Sequence, residues 1–180
     1  MIIAALFALA VTAGAPPSPA GLEGGLAGRW SGALTYRDYR TDKRFTLPVE
    51  RAFAAATDGA TVTEVSTYDD GPETGAVIIT TVSLFDAKAG QVTAASFRKG
   101  ETPELTRRHV VIARYDDPTH WSLVFDGEGR DNNAPARIRV TETRTGDELT
   151  SREDVAPLTP DGAPYTFRNE TALKRVAGGK

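Results

Sequence analysis

The residues of this chain best equipped for chemistry are two histidines and the carboxylates between them. His109 and His120 flank Asp116-Asp117. A hairpin there would gather imidazole and carboxylate, the least a zinc site needs when thiolates are missing. Strands on either side of that turn would hold the two rings at different heights, so they are expected as surface or turn histidines. The chain has no cysteine, which excludes a thiol nucleophile, a zinc–thiolate site and an iron–sulfur cluster. It has no Gly-x-Ser-x-Gly elbow, the sharp turn that presents a nucleophilic serine. Glu101/Glu104 and Glu153/Asp154 read as solvated charges. The run Asp126-Gly127-Glu128-Gly129-Arg130-Asp131-Asn132-Asn133 has the composition of a calcium loop but not the spacing of an EF-hand, and is expected to be a mobile hairpin loop. Asn169-Glu170-Thr171 matches a glycosylation sequon inside an expected strand. No catalytic residue, metal or cofactor is expected, and the chain is not expected to be an enzyme.

Any site must be carried by strands. From Trp30 onward the apolar residues alternate with period two, and the runs are broken by Gly, Asp and Pro. Ten runs are expected, near 29–40, 43–55, 60–69, 75–85, 90–98, 107–115, 119–126, 136–145, 148–156 and 164–176. Short links such as Asp58-Gly59, Ala89-Gly90 and Thr145-Gly146-Asp147 favour pairing of sequential strands in antiparallel order. The fold class is all-β: one antiparallel up-and-down barrel of roughly eight to ten strands, whose closure removes exposed edges. A β-sandwich is the alternative. Alternation places Tyr36, Asp38, Arg51, Tyr68 and Asn169 on or near inward faces, where they are the candidate ligand-binding residues. Asp38 and Arg51 are expected to need each other or a ligand, because an isolated buried charge is costly. Val77-Ile78-Ile79 is apolar on both faces and marks a strand that something covers.

Met1 to Ala15 is apolar and ends in small residues, the pattern of a secretory signal. Cleavage is expected near residue 20, within 1–20, although no Lys or Arg precedes the apolar run. Residues 21–27 read as a linker, 28–176 as the barrel and 177–180 as a tail. The stretch is too short to span a bilayer, and without cysteine no lipid anchor of the bacterial type can be attached. Export would place the protein in the periplasm or outside the cell. A barrel of this size buries about 68–70% of its unfolded surface, enough for a core without disulfides. The formal net charge is −3. Its Lys and Arg are scattered, so no nucleic-acid partner is expected. Oligomeric state is not readable.

Gly28-Arg29-Trp30 opens the first run and Arg175 lies near the end of the last. On these residues the chain resembles the calycin superfamily, and within it the exported bacterial lipocalin-like barrels of unassigned activity. The resemblance implies that Gly28, Trp30 and Arg175 close one end of the barrel, with the guanidinium stacked over the indole. Some such barrels hold haem through a histidine near the C-terminus, but Ala136 to Val176 contains none. The expected function is binding of a small, mostly apolar ligand in the lumen. The alternative is an envelope structural or interaction module with a filled barrel.

Overall fold

Ten antiparallel strands close on themselves in a computed structural model that describes residues 17–178. They are β1 (Gly28–Arg37), β2 (Arg44–Ala55), β3 (Thr61–Asp69), β4 (Ala76–Asp86), β5 (Gln91–Arg98), β6 (Glu104–Asp117), β7 (His120–Asp131), β8 (Ala134–Thr145), β9 (Glu148–Pro157) and β10 (Thr166–Arg175). Each pairs with its neighbour in sequence, and β1 pairs with β10 to shut the ring. This is the up-and-down barrel expected, at the upper end of the strand range. Most of the signal stretch lies outside the described residues.

The turns explain the order. Asp58 accepts hydrogen bonds from the backbone amides of Ala60 and Thr61 at 2.9 and 2.8 Å, and Gly59 takes a φ of 69°. Asn132 and Asn133, both at positive φ, make the two-residue link of β7 to β8, a conformation asparagine tolerates better than most residues. The 126–133 run is therefore no mobile loop. Most of it is strand, carried on to Asp131.

The segment expected as a linker is also ordered. Residues Pro19–Gly24 form a short helix, α1. Ser18 caps it, its hydroxyl accepting from the Gly21 amide at 3.1 Å. Six residues make a marginal helix in isolation. Here Ala20, Leu22 and Leu26 are buried with Trp30, Phe53 and Val62 in the core, and that docking holds the helix against the barrel. A second four-residue helix, α2 (Gly71–Thr74), joins β3 to β4.

Core residues fill one end of the barrel. Trp30 and Leu26 are wholly buried, as is Leu123, and Trp121 and Leu149 nearly so. The Trp30 indole N–H donates to the Leu26 carbonyl at 2.8 Å. The Arg175 guanidinium lies 4.4 Å from the Trp30 ring centre and that of Arg144 5.8 Å. Arg175 also donates to the carbonyls of Ala27 and Gly25 at 2.8 and 3.1 Å. Arg144 donates to the carbonyls of Gly146 and Gly25 at 3.0 Å each. Gly28 enters β1 at a φ of 121°, which L side chains rarely adopt.

Outside, the alternation is incomplete. Val77 and Ile79 pair with Tyr68 and Ser66 and share the lumen side. Ile78 points outward and is exposed, with Leu84, Phe97 and Leu105 on the outer face of β4, β5 and β6.

Candidate functional site

The lumen above the sealed end holds a cavity of about 350 Å³. Its lining is charged. Glu23, Glu64, Glu104, Glu142 and Glu153 face two guanidinium groups, Arg51 and Arg108, with Thr and Ser hydroxyls between them. Apolar wall is confined to side chains such as Phe85, Val92, Phe125 and Val140.

Parity along the strands puts these groups inside. Arg51 pairs with Trp30 on one side and Ser66 on the other, so it shares the face of two buried residues. Glu64 and Tyr68 have the parity of Ser66 on β3. On β8, Glu142 alternates with Ala136, Ile138, Val140 and Arg144, four residues whose side chains turn inward or are buried. Glu23 arrives from below, on α1.

Arg51 is the central cation. Its Nε lies 3.2 Å from Glu64 Oε1, with the side chain only 10% exposed. Its Nη2 donates to the Thr171 hydroxyl at 3.1 Å. The Ser66 hydroxyl donates to Glu64. Burial works against the Arg51 charge, but Glu64, Tyr68 and Glu142 outweigh it and hold its pKa above the ordinary value.

Glu23 and Glu142 are the unsettled members. They are 7% and 8% exposed. Each keeps a buried Oε1 without a hydrogen-bond partner. Burial, followed by the neighbouring Glu142 carboxylate, pushes the Glu23 pKa well up. Burial pushes Glu142 up to about 7, against the pull of Arg51. Nearer the mouth, the Asn169 amide donates to Glu153 Oε1 at 3.2 Å, and burial raises the Glu153 pKa against Arg108 and Arg168.

Of the five residues proposed from alternation, the structure gathers three in this cavity: Arg51, Tyr68 and Asn169. Tyr36 is half-buried and stacks on Phe45 with ring centres 5.9 Å apart, beside a shallow hollow at Asp69-Asp70. Asp38 lies past the end of β1 and caps the turn. Its carboxylate accepts from the amides of Arg40 and Thr41 at 3.1 and 2.8 Å and from the Thr41 hydroxyl at 2.9 Å. The Thr41 hydrogen bonds hold its pKa below the ordinary value. Arg51 therefore pairs with Glu64 and not with Asp38.

The histidines stay apart. His109 is exposed beside Gly90, and His120 Nδ1 lies 2.9 Å from Asp117 Oδ2 at the next hairpin. Among the described residues, no group of three or more His, Asp or Glu side chains is placed to hold a metal ion, and no helix is long and apolar enough to cross a membrane.

No family model matches the chain, and no curated protein does. The fold has a solved relative in shape. The crystal structure of Rv2717c from M. tuberculosis superposes with a TM-score of 0.61 over 88% of this chain and 98% of that one, at 18% sequence identity. Identity that low speaks for the fold alone.

Proposed function

We propose that the protein is a binding barrel that takes a small polar molecule into its lumen and performs no turnover. The observation that carries this is the pair of buried carboxyl groups, Glu23 and Glu142, each with an unpartnered oxygen beside a cavity of about 350 Å³. Buried polar atoms are nearly always satisfied in folded proteins, so a pair left open beside a cavity of ligand size calls for a guest. A mostly apolar ligand would leave five carboxyl and two guanidinium groups facing hydrocarbon. The polar lining therefore favours a polar guest over the mostly apolar one that the resemblance to lipocalin-like barrels implied. Mass spectrometry of an organic extract and an aqueous extract of the native protein tests the reading. A reproducible polar compound at near-equal molar amount supports it; empty extracts from several hosts, with no ligand-dependent shift in unfolding temperature across a metabolite panel, overturn it.

The reading extends to export. Its support is the apolar Met1–Ala15 stretch with small residues at its end. A cut after Ala15 leaves Ser18 and α1 whole, whereas one after Ala20 removes the helix cap and first turn. The intact mass of the protein recovered from the periplasm separates the two, and a cytoplasmic, full-length product refutes export.

A second reading, a protein-interaction module, draws on the exposed Ile78, Leu84, Phe97 and Leu105 on the outer face. Single exposed apolar residues are ordinary, but a contiguous group is not. Sedimentation of the wild type and Leu105→Lys across a concentration series tests it.

A further inference from the structure

We infer that the deep end of the lumen is a site for an organic ammonium group, held between Glu23 on α1 and Glu142 on β8. This rests on the binding-barrel reading and names the class of guest. The two open oxygens are carboxyl oxygens, and a carboxylate can only accept hydrogen bonds. What the site lacks is therefore donors. The nearest cation, Arg51, is ion-paired with Glu64 and donates through Nη2 to Thr171, its buried Nε making no hydrogen bond, and the Ser66 hydroxyl donates to Glu64. Two facing carboxyl groups in a buried place cannot both ionise unless a cation or a shared proton lies between them.

An alkylammonium supplies three N–H donors around one positive charge. Two can meet the open oxygens of Glu23 and Glu142, and one remains for a neighbouring acceptor. An alcohol brings one donor and no charge, and a carboxylate brings the wrong charge. The walls above suit the rest of such a molecule, because Phe85, Val92, Phe125 and Val140 offer apolar surface for a short stem. Across the lumen lining five glutamates face two arginines, so the field inside the barrel draws a cation inward. A bare metal ion fits poorly, since no third metal-ligating side chain joins the pair among the described residues.

The test is an amide-shift NMR titration with three probes sharing a four-carbon stem: n-butylammonium, 1-butanol and pentanoate. The expected result is saturable binding of butylammonium at least tenfold tighter than that of butanol, with no saturable shift from pentanoate. Glu142→Gln should erase the tenfold advantage while butanol affinity is retained, and Asp38→Ala should change neither. Glu23→Gln serves as the second variant if Glu142→Gln does not fold. Equal affinity for butylammonium and butanol overturns the ammonium site yet leaves a binding lumen standing. Failure of all three probes also overturns it, while the binding-barrel reading is judged separately by the extracts. An undiminished butylammonium preference in both Gln variants places the cation elsewhere and refutes the assignment.

Discussion

Two clusters of charge and aromatic surface lie within the lower half of this barrel, and they are finished to different degrees. At the seal, Arg175 and Arg144 lie over Trp30, and both send hydrogen bonds to backbone carbonyls at turns and chain ends. In the lumen, Arg51 is ion-paired with Glu64, but its buried Nε and one buried oxygen each of Glu23 and Glu142 make no hydrogen bond. The same residue types thus serve two purposes. Where every donor has an acceptor inside the chain, the cluster is structure. Where acceptors outnumber donors, the chain has left a place for something else.

That contrast can be broken or sharpened by mutation. The largest effect is expected at the seal. Trp30→Ala removes a wholly buried indole and should cost about 3–5 kcal/mol in urea unfolding. Full stability in that variant would reduce the seal to decoration.

The next effect lies in the lumen and depends on pH. Glu142 faces Glu23, Glu64 and Arg51, and its pKa is about 7 against an ordinary 4.5. The folded state holds that proton more tightly than the unfolded one. The stability it confers is complete below pH about 4.5 and lost as pH rises through about 7. Between pH 4.5 and 8 the wild type should lose on the order of 3 kcal/mol more than Glu142→Gln, following the conversion of pKa shift into energy. Denaturant titrations at both pH values check this, and parallel curves would mean that Glu142 is solvated or already paired.

A smaller effect is expected from Arg175→Met. It removes the closer cation over Trp30 and two carbonyl contacts, while Arg144 still serves the Gly25 carbonyl. The expected loss is about 1–2 kcal/mol, read as a lower thermal midpoint with unchanged ligand affinity. Smallest is Asp38→Ala. It frees the amides of Arg40 and Thr41 at an exposed turn, so only a slight loss is expected in chemical denaturation, with no change in lumen binding.

Much of this architecture was legible in advance, and the exceptions have physical causes. The ten strands follow from alternation broken by residues that accept tight turns, as at Asp58-Gly59 and Gly146. Parity also found Arg51, Tyr68 and Asn169. It failed at Asp38 because β1 ends at Arg37, and a face cannot be extrapolated past the last paired residue. Helix α1 was missed because it has only six residues, two of them glycine, and its stability comes from docking Leu22 onto the barrel. Glu23 was lost with it. Glu142 was hidden in the run Thr141-Glu142-Thr143-Arg144-Thr145, which looks like a solvated strand. Yet it has the parity of Ile138 and Val140, a signal that alternation could have supplied. Charge alone argued for the outside, and the upward shift of its pKa is the cost of overriding that preference.

The seam between the first and last strands has a practical consequence. β1 pairs with β10 from Trp30 with Arg175 onward, and the Val176 amide donates to the Arg29 carbonyl at 2.8 Å. The C-terminal strand therefore ends beside Trp30, at the pole opposite the mouth, while Ser18 and Pro19 lie near Gly59 and Gly90. A fluorescent fusion or a surface tether attached at the C-terminus would point away from the entrance, so the barrel can be immobilised for binding measurements with its opening free.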